Sequence, residues 1–161
     1  MKKAVVLILL LAVAGTAAAI EKADLVVVKK SERKLFLFND GKPFRVFHVA
    51  LGTVPHGPKI REGDERTPEG SYVLDRKSEK SAFYKAIHIS YPNESDRERA
   101  ARLGVSPGGS IMIHGQPNEA TWPADVAQVF NWTDGCIAVT DRQMDEIWNA
   151  VDPGTPIRIQ P

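Results

Sequence analysis

From Leu25 onward, short apolar and β-branched runs alternate with turn-forming residues. Leu25–Val28 is the first run, and Lys34-Leu35-Phe36-Leu37-Phe38 is the second. Asn39-Asp40-Gly41 then separates it from a third, Phe44 to Leu51. Two strand-like runs flanking Asp-Gly predict a hairpin. Gly52 to Arg66 carries Gly52, Pro55, Gly57, Pro58 and Gly63 and reads as loop. Thr67-Pro68-Glu69-Gly70 is a turn feeding a strand over Ser71–Asp75, and Ala86 to Tyr91 alternates as another. Pro107-Gly108-Gly109 launches a strand over Ser110–His114. A short run Ile137–Val139 follows Cys136, and Pro156–Ile159 makes a terminal strand.

Helical spacing is confined to three short segments. Ser95 to Leu103 is polar and Arg-rich and stops at Gly104. Thr121 to Phe130 predicts a helix capped by Thr121, with Pro123 in its first turn. Thr140 or Asp141 caps a helix to Val151, on which Met144, Ile147, Trp148 and Val151 fall three, four and seven apart. The pattern predicts one mainly β domain with short helices.

The segment before Leu25 differs. Lys2 and Lys3 precede an unbroken apolar stretch, Ala4 to Val13, and Ala17-Ala18-Ala19 puts small residues at a cleavage site. Residues 1–19 are expected to be a secretory signal, too short for a spanning helix, and residues 20–161 a single domain. An uncleaved N-terminal anchor is the alternative. The protein is therefore expected to be exported, to the periplasm or cell envelope. Without Lys2 and Lys3 the charges are 19 Lys/Arg against 20 Asp/Glu, which favours neither nucleic acid nor an anionic membrane surface as partner. No G-x-G-x-x-G, P-loop or C-x-x-C occurs, so nucleotide and zinc-ribbon functions lack support.

Cys136 is the only cysteine, so no intramolecular disulfide can form. It follows Thr133-Asp134-Gly135, a turn signal, and the thiol is expected to be presented outward there. A thiol needs a neighbouring imidazole to become an effective nucleophile at neutral pH, the imidazole taking the proton and depressing the thiol's pKa. Of the four histidines, His48 lies inside a strand and His56 in the Pro55/Gly57 loop. His114 closes a strand beside Gly115, which permits close backbone approach. Ile-Met-Ile-His-Gly and Thr-Asp-Gly-Cys-Ile together point to a Cys/His pair, adjacent in space though not in sequence.

These motifs resemble the L,D-transpeptidase catalytic domain (YkuD-type) of bacterial cell-wall enzymes, whose pattern is a His, a spacer and then Ser/Thr-His-Gly-Cys. Here 18 residues, Gly115 to Trp132, separate His114 from Thr133-Asp134-Gly135-Cys136, one more than the usual spacing. Arg66-Thr67-Pro68-Glu69-Gly70 resembles the family's Thr-Pro-x-Gly turn, and Lys34–Gly52 its opening hairpin. Asp134 stands where the family usually has a second His, and Ala138 where many members carry Arg.

The resemblance implies a β-sandwich-like fold with the site at the ends of the His114 and Cys136 strands. It implies Cys136 as nucleophile on a peptidoglycan stem peptide and His114 as base. Backbone N–H groups near Gly135 and Cys136 are expected to hold the oxyanion, with Gly115 as further backbone at the site. Asp134, Thr133, His88 and Arg66 are candidate substrate contacts, with Ser90 and Tyr91 lining the same groove or packing. The acyl-enzyme passes to an amine, forming a 3→3 cross-link or attaching a wall-attached protein or other amine. A monomer is expected, with neither metal nor organic cofactor. Three alternatives stay open: an L,D-carboxypeptidase or peptidase with water as acceptor, a non-catalytic wall-binding module, and a zinc protein using His88, His114 and Cys136. Asp134 reads either as a turn-former bonding nearby backbone or as a carboxylate receiving a cationic acceptor.

Overall fold

A computed structural model describes residues 20–161. The expected secretory signal, residues 1–19, lies outside the described residues.

The hairpin forms as the pattern predicts. β1 (Leu25–Lys29), β2 (Lys34–Asn39) and β3 (Lys42–His48) run antiparallel in sequence order. Asp40 and Gly41 make the two-residue turn, both at positive φ (48° and 70°), the primed geometry whose twist matches the strands it joins. Further along come β4 (Gly70–Ser78), β5 (Ala86–Ile89), β6 (Met112–His114), β7 (Ile137–Ala138) and β8 (Thr155–Gln160). All eight form one sheet in the order β3-β2-β1-β8-β4-β5-β6-β7. The last strand thus sits in the middle, parallel to β1 and antiparallel to β4.

The sheet curls until its two edges meet. Beyond β3, Ala50 exchanges backbone hydrogen bonds with Ala138 of β7 (2.9 and 2.8 Å), and Gly52 bridges Thr133. This closure gives the sandwich-like form that the resemblance implied. It also removes the exposed ladder that two free edges would present. The fully buried Val26, Val28, Leu35, Leu37, Leu74, Ile87, Ile113, Ile137 and Ile157 fill the enclosed face.

Three helices flank the sheet. α1 (Glu94–Arg102) starts one residue earlier than its polar run suggests, because Asn93 caps it and Asp96 returns the bond to the Asn93 backbone. α2 is only Ala124–Ala127, with Pro123 at the cap and no side-chain capping bond. The expected ten-residue helix capped by Thr121 does not form. Around it Trp122, Val126, Val129 and Phe130 stay exposed and, among the described apolar residues there, only the small Ala127 is buried, too little apolar burial to stabilise a longer helix. α3 (Asp141–Ala150) is capped by Thr140, with Gln143 completing the box, which decides between the two candidate caps. Its Met144 and Ile147 are fully buried, each worth roughly 1.5–3 kcal/mol of apolar burial.

Candidate active site

β6 and β7 are paired in parallel, with Ile113 opposite Ile137 and His114 opposite Ala138. Both isoleucines are fully buried in the core. Because side chains alternate along a strand, His114 and Cys136 fall on the other face, offset by one alternation across the strand pair. That face is the wall of a cavity of about 570 Å³, lined by His114, Cys136, Thr133 and Asp134 together with Phe83 and Trp132. Its volume is ordinary for a small-molecule or peptide site.

His114 is 1% exposed. Its Nδ1 lies 2.7 Å from the Gly115 carbonyl oxygen, an acceptor only, so Nδ1 carries the hydrogen and donates it. In the neutral ring Nε2 is then the unprotonated nitrogen. Burial pushes the His114 pKa down to about 4, against the opposing pull of the Gly115 bond. The imidazole is therefore a neutral base at neutral pH. Phe83 stacks on it at 4.0 Å between centroids, and Trp132 meets it edge-on at 5.9 Å.

Cys136 is only half-exposed, at the cavity wall. The thiol thus lies at the cavity and on the face opposite the core isoleucines, not sunk in the core. Its Sγ donates to the Ser110 carbonyl oxygen at 3.6 Å. Burial pushes the thiol pKa up; the Met112 backbone and the Lys59 charge pull it down, and the Asp134 carboxylate raises it further. A thiol held low by an imidazolium partner is thus not the resting state. The pair rests as neutral thiol and neutral imidazole, with the proton to be moved at the moment of attack.

The turn before the thiol is held by Thr133. Its hydroxyl donates to the Cys136 carbonyl oxygen at 2.7 Å and accepts from the Gly135 N–H at 3.2 Å. Gly135 sits at φ +125°, and a Cβ there would come within 2.6 Å of the Arg66 carbonyl oxygen, so only glycine lets these two segments touch. The Asp134 side chain is exposed and makes no hydrogen bond to the turn. The expectation that it builds the turn is corrected: Thr133 does so, and the Asp134 carboxylate is left at the cavity.

A family model described as the L,D-transpeptidase catalytic domain matches residues 23–159. The chain belongs to the L,D-transpeptidase catalytic domain family. Among relatives, the candidate L,D-transpeptidase YafK of Escherichia coli (strain K12) is 37% identical over 97 residues, covering 59% of this chain and 32% of YafK. Among solved structures, the helical cell shape determining protein Pgp2 of Campylobacter jejuni superposes with a TM-score of 0.64 at 26% identity, covering 84% of this chain and 46% of Pgp2. L,D-transpeptidase 3 of Mycobacterium tuberculosis, solved with a faropenem-derived adduct, shares the fold with a TM-score of 0.56 at 18% identity, over 85% of this chain and 58% of that one. The chain spans about a third of YafK and under half of Pgp2.

Within this family framework some expected contacts are not brought to the cavity. His88 pairs with Asp75 instead, Nδ1 to Oδ1 at 2.7 Å. Among the described residues no group of three His, Cys, Asp or Glu could hold a metal, so the His88/His114/Cys136 zinc trio is not assembled. Arg66 turns its side chain toward Gly57 and a separate groove lined by Val54 and Ile60, and only its backbone touches Gly135. The Gly115 N–H is spent on the Tyr84 carbonyl oxygen at 2.9 Å, so it is not an oxyanion donor; Gly115 acts instead through its carbonyl on His114. The Gly135 N–H is likewise taken by Thr133. Ser90 and Tyr91 are structural: Ser90 bonds Val73, and the Tyr91 hydroxyl donates to the Pro107 carbonyl oxygen.

Several cavity residues escaped the sequence reading, among them Phe83, Trp132, Lys59, Glu62 and Glu65. Trp132 directly precedes the Thr133 motif and could have been flagged by position. Phe83 and Lys59 lie in loops with no local signal, and only the curl of the sheet brings them in.

Proposed function

We propose that this chain is an exported, cysteine-dependent peptidoglycan L,D-transpeptidase. Cys136 Sγ attacks the carbonyl carbon of the amide between the third stem residue and the terminal D-residue. His114 Nε2 takes the thiol proton and passes it to the departing amine, whose C–N bond breaks as the thioester is complete. The Cys136 N–H is the oxyanion donor, since those of Gly135 and Gly115 are engaged. An incoming amine then displaces the thioester, restoring the thiol and leaving a 3→3 cross-link or another wall-attached amide.

One observation carries the reading. A tautomer-fixed neutral imidazole and a single thiol share one cavity wall on neighbouring parallel strands. Family membership and the cell-shape role in the name of Pgp2 support a wall substrate. Purified protein incubated with disaccharide-tetrapeptide and read by mass spectrometry tests it. Cross-linked dimers are expected. Tripeptide alone would make the protein a carboxypeptidase, and unchanged substrate would exclude both.

A further inference from the structure

The charges around the cavity are lopsided. Glu62, Glu65 and Asp134 are among its lining residues, the Glu65 carboxylate accepting from the Thr53 hydroxyl, and Lys59 is the one lysine or arginine among them. The three acids are exposed, whereas the Lys59 side chain is 3% exposed. A buried ammonium is costly unless its donors are satisfied. Two of its three are: Nζ donates to Asp64 Oδ1 at 2.8 Å and to the Arg61 carbonyl oxygen at 3.1 Å.

This cation is fixed before any ligand arrives. Asp64 accepts from the backbone N–H groups of Ile60 (2.7 Å), Arg61 (3.0 Å) and Arg66 (3.2 Å), so the loop is wound around its carboxylate. Glu62 N–H ties the same loop to the Ser106 carbonyl oxygen at 2.8 Å, against the segment that leads into β6. Lys59 is thus pinned to the scaffold that carries the dyad. Its third N–H has no partner among the described residues. Its charge also reaches the Cys136 thiol, where it opposes the effect of burial.

We propose that Lys59 is a carboxylate-binding subsite of the catalytic cavity, holding the free carboxylate of the residue that leaves from the scissile amide. The proposal rests on the stem-peptide reading for the identity of that residue, and on the cavity alone for the carboxylate. The exposed acids around the cavity disfavour an anionic group, and Lys59, whose charge Asp64 balances in part, is the point in the lining that offers it a cationic N–H donor. A fixed cation therefore sets the orientation of a ligand that carries a carboxylate close to the attacked carbon. A charge-assisted hydrogen bond at a desolvated site is the strong kind.

Alkylation of Cys136 by iodoacetate and by iodoacetamide tests this without any wall chemistry. The two reagents differ in carrying a carboxylate or a neutral amide beside the attacked carbon. The iodoacetate-to-iodoacetamide rate ratio of the unaltered protein is expected to exceed that of a small free thiol by about tenfold or more. Lys59→Met should bring the ratio down to the free-thiol value or below it, because the acids remain, and Lys59→Arg should keep much of it. A wild-type ratio no higher than that of the free thiol overturns the subsite, whether or not the variants fold. So does a Lys59→Met variant that slows both reagents equally, which would make Lys59 a support for the thiolate only. Retained iodoacetate preference with no turnover of tetrapeptide removes the transpeptidase reading and leaves the subsite; turnover without the preference removes the subsite alone.

Discussion

The ring of Phe83 stacks on the imidazole of His114 with centroids 4.0 Å apart and planes 27° apart. Phe83 belongs to the loop between β4 and β5, and its backbone bridges Pro117, just beyond His114-Gly115. The ring therefore covers the base from a segment that is itself fastened to the strand end. Burial of this kind disfavours the imidazolium, which is the cause of the low pKa of His114.

A neutral base works above its own pKa, so lowering that pKa extends activity toward acid. The acid limb of Cys136 acylation is expected near pH 4 in the unaltered protein. Phe83→Ala, which opens the imidazole to water, should move it toward about 6.5. The pH dependence of acylation at saturating donor measures it. A limb that stays in place while the rate falls would reduce Phe83 to packing.

The same shift has a stability consequence. His114 binds its proton less readily folded than unfolded, so its contribution is full above pH 6.5 and is lost as pH falls toward 4. Over that window the loss is about 3 kcal/mol, at roughly 1.36 kcal/mol per pH unit. Urea unfolding of the unaltered protein and of His114→Gln at pH 7 and pH 4.5 checks it. The variant should lose distinctly less stability on acidification.

Cys136→Ser is expected to lose at least about 10³-fold in turnover with folding retained. Its sulfur should also betray its burial. Iodoacetamide labelling of the unaltered protein is expected to have a midpoint above the ordinary thiol value of about 8.5, because burial pushes the Cys136 pKa up. A midpoint well below that value would mean a resting thiolate–imidazolium pair and would overturn the neutral-pair mechanism.

Thr133 is buried, 4% exposed, and its hydroxyl joins the Gly135 N–H to the Cys136 carbonyl oxygen. Thr133→Val keeps the shape and orphans both groups, at a cost of about 1–3 kcal/mol. Acylation should fall more than stability alone explains, because this turn sets the position of the Cys136 N–H. Thr133→Ser should restore most of the rate.

Asp134 points its charge at the cavity and raises the thiol pKa. Asp134→Asn is expected to lower the labelling midpoint of Cys136. If the carboxylate also receives the acceptor's ammonium, the variant should leave acylation by donor peptide nearly unchanged and weaken amine acceptors relative to water. Partition of the acyl-enzyme between amine and water measures this. Equal partition in the two proteins would leave Asp134 with the electrostatic effect alone.

The sequence by itself determined what depends on near neighbours. Asp40-Gly41 dictated the hairpin because both residues tolerate positive φ. Thr140 and Gln143 dictated the start of α3, and the His-Gly and Thr-Asp-Gly-Cys motifs located the two strand ends that face the cavity. The expected helix from Thr121 to Phe130 failed because local spacing says nothing about whether a tertiary partner exists to cover the apolar side. The tertiary structure decided everything that needed two distant segments in register. It sent His88 to Asp75 and turned the Arg66 side chain away, and it gave the Gly115 and Gly135 N–H groups to other acceptors. It brought Phe83 and Lys59 to the dyad from loops with no motif of their own. It also set the burial and the charges that act on the thiol. A spacing between Cys and His predicts an activating pair, but pKa values follow burial and the placement of charge, and these arise only when the curled sheet closes through Ala50 and Ala138.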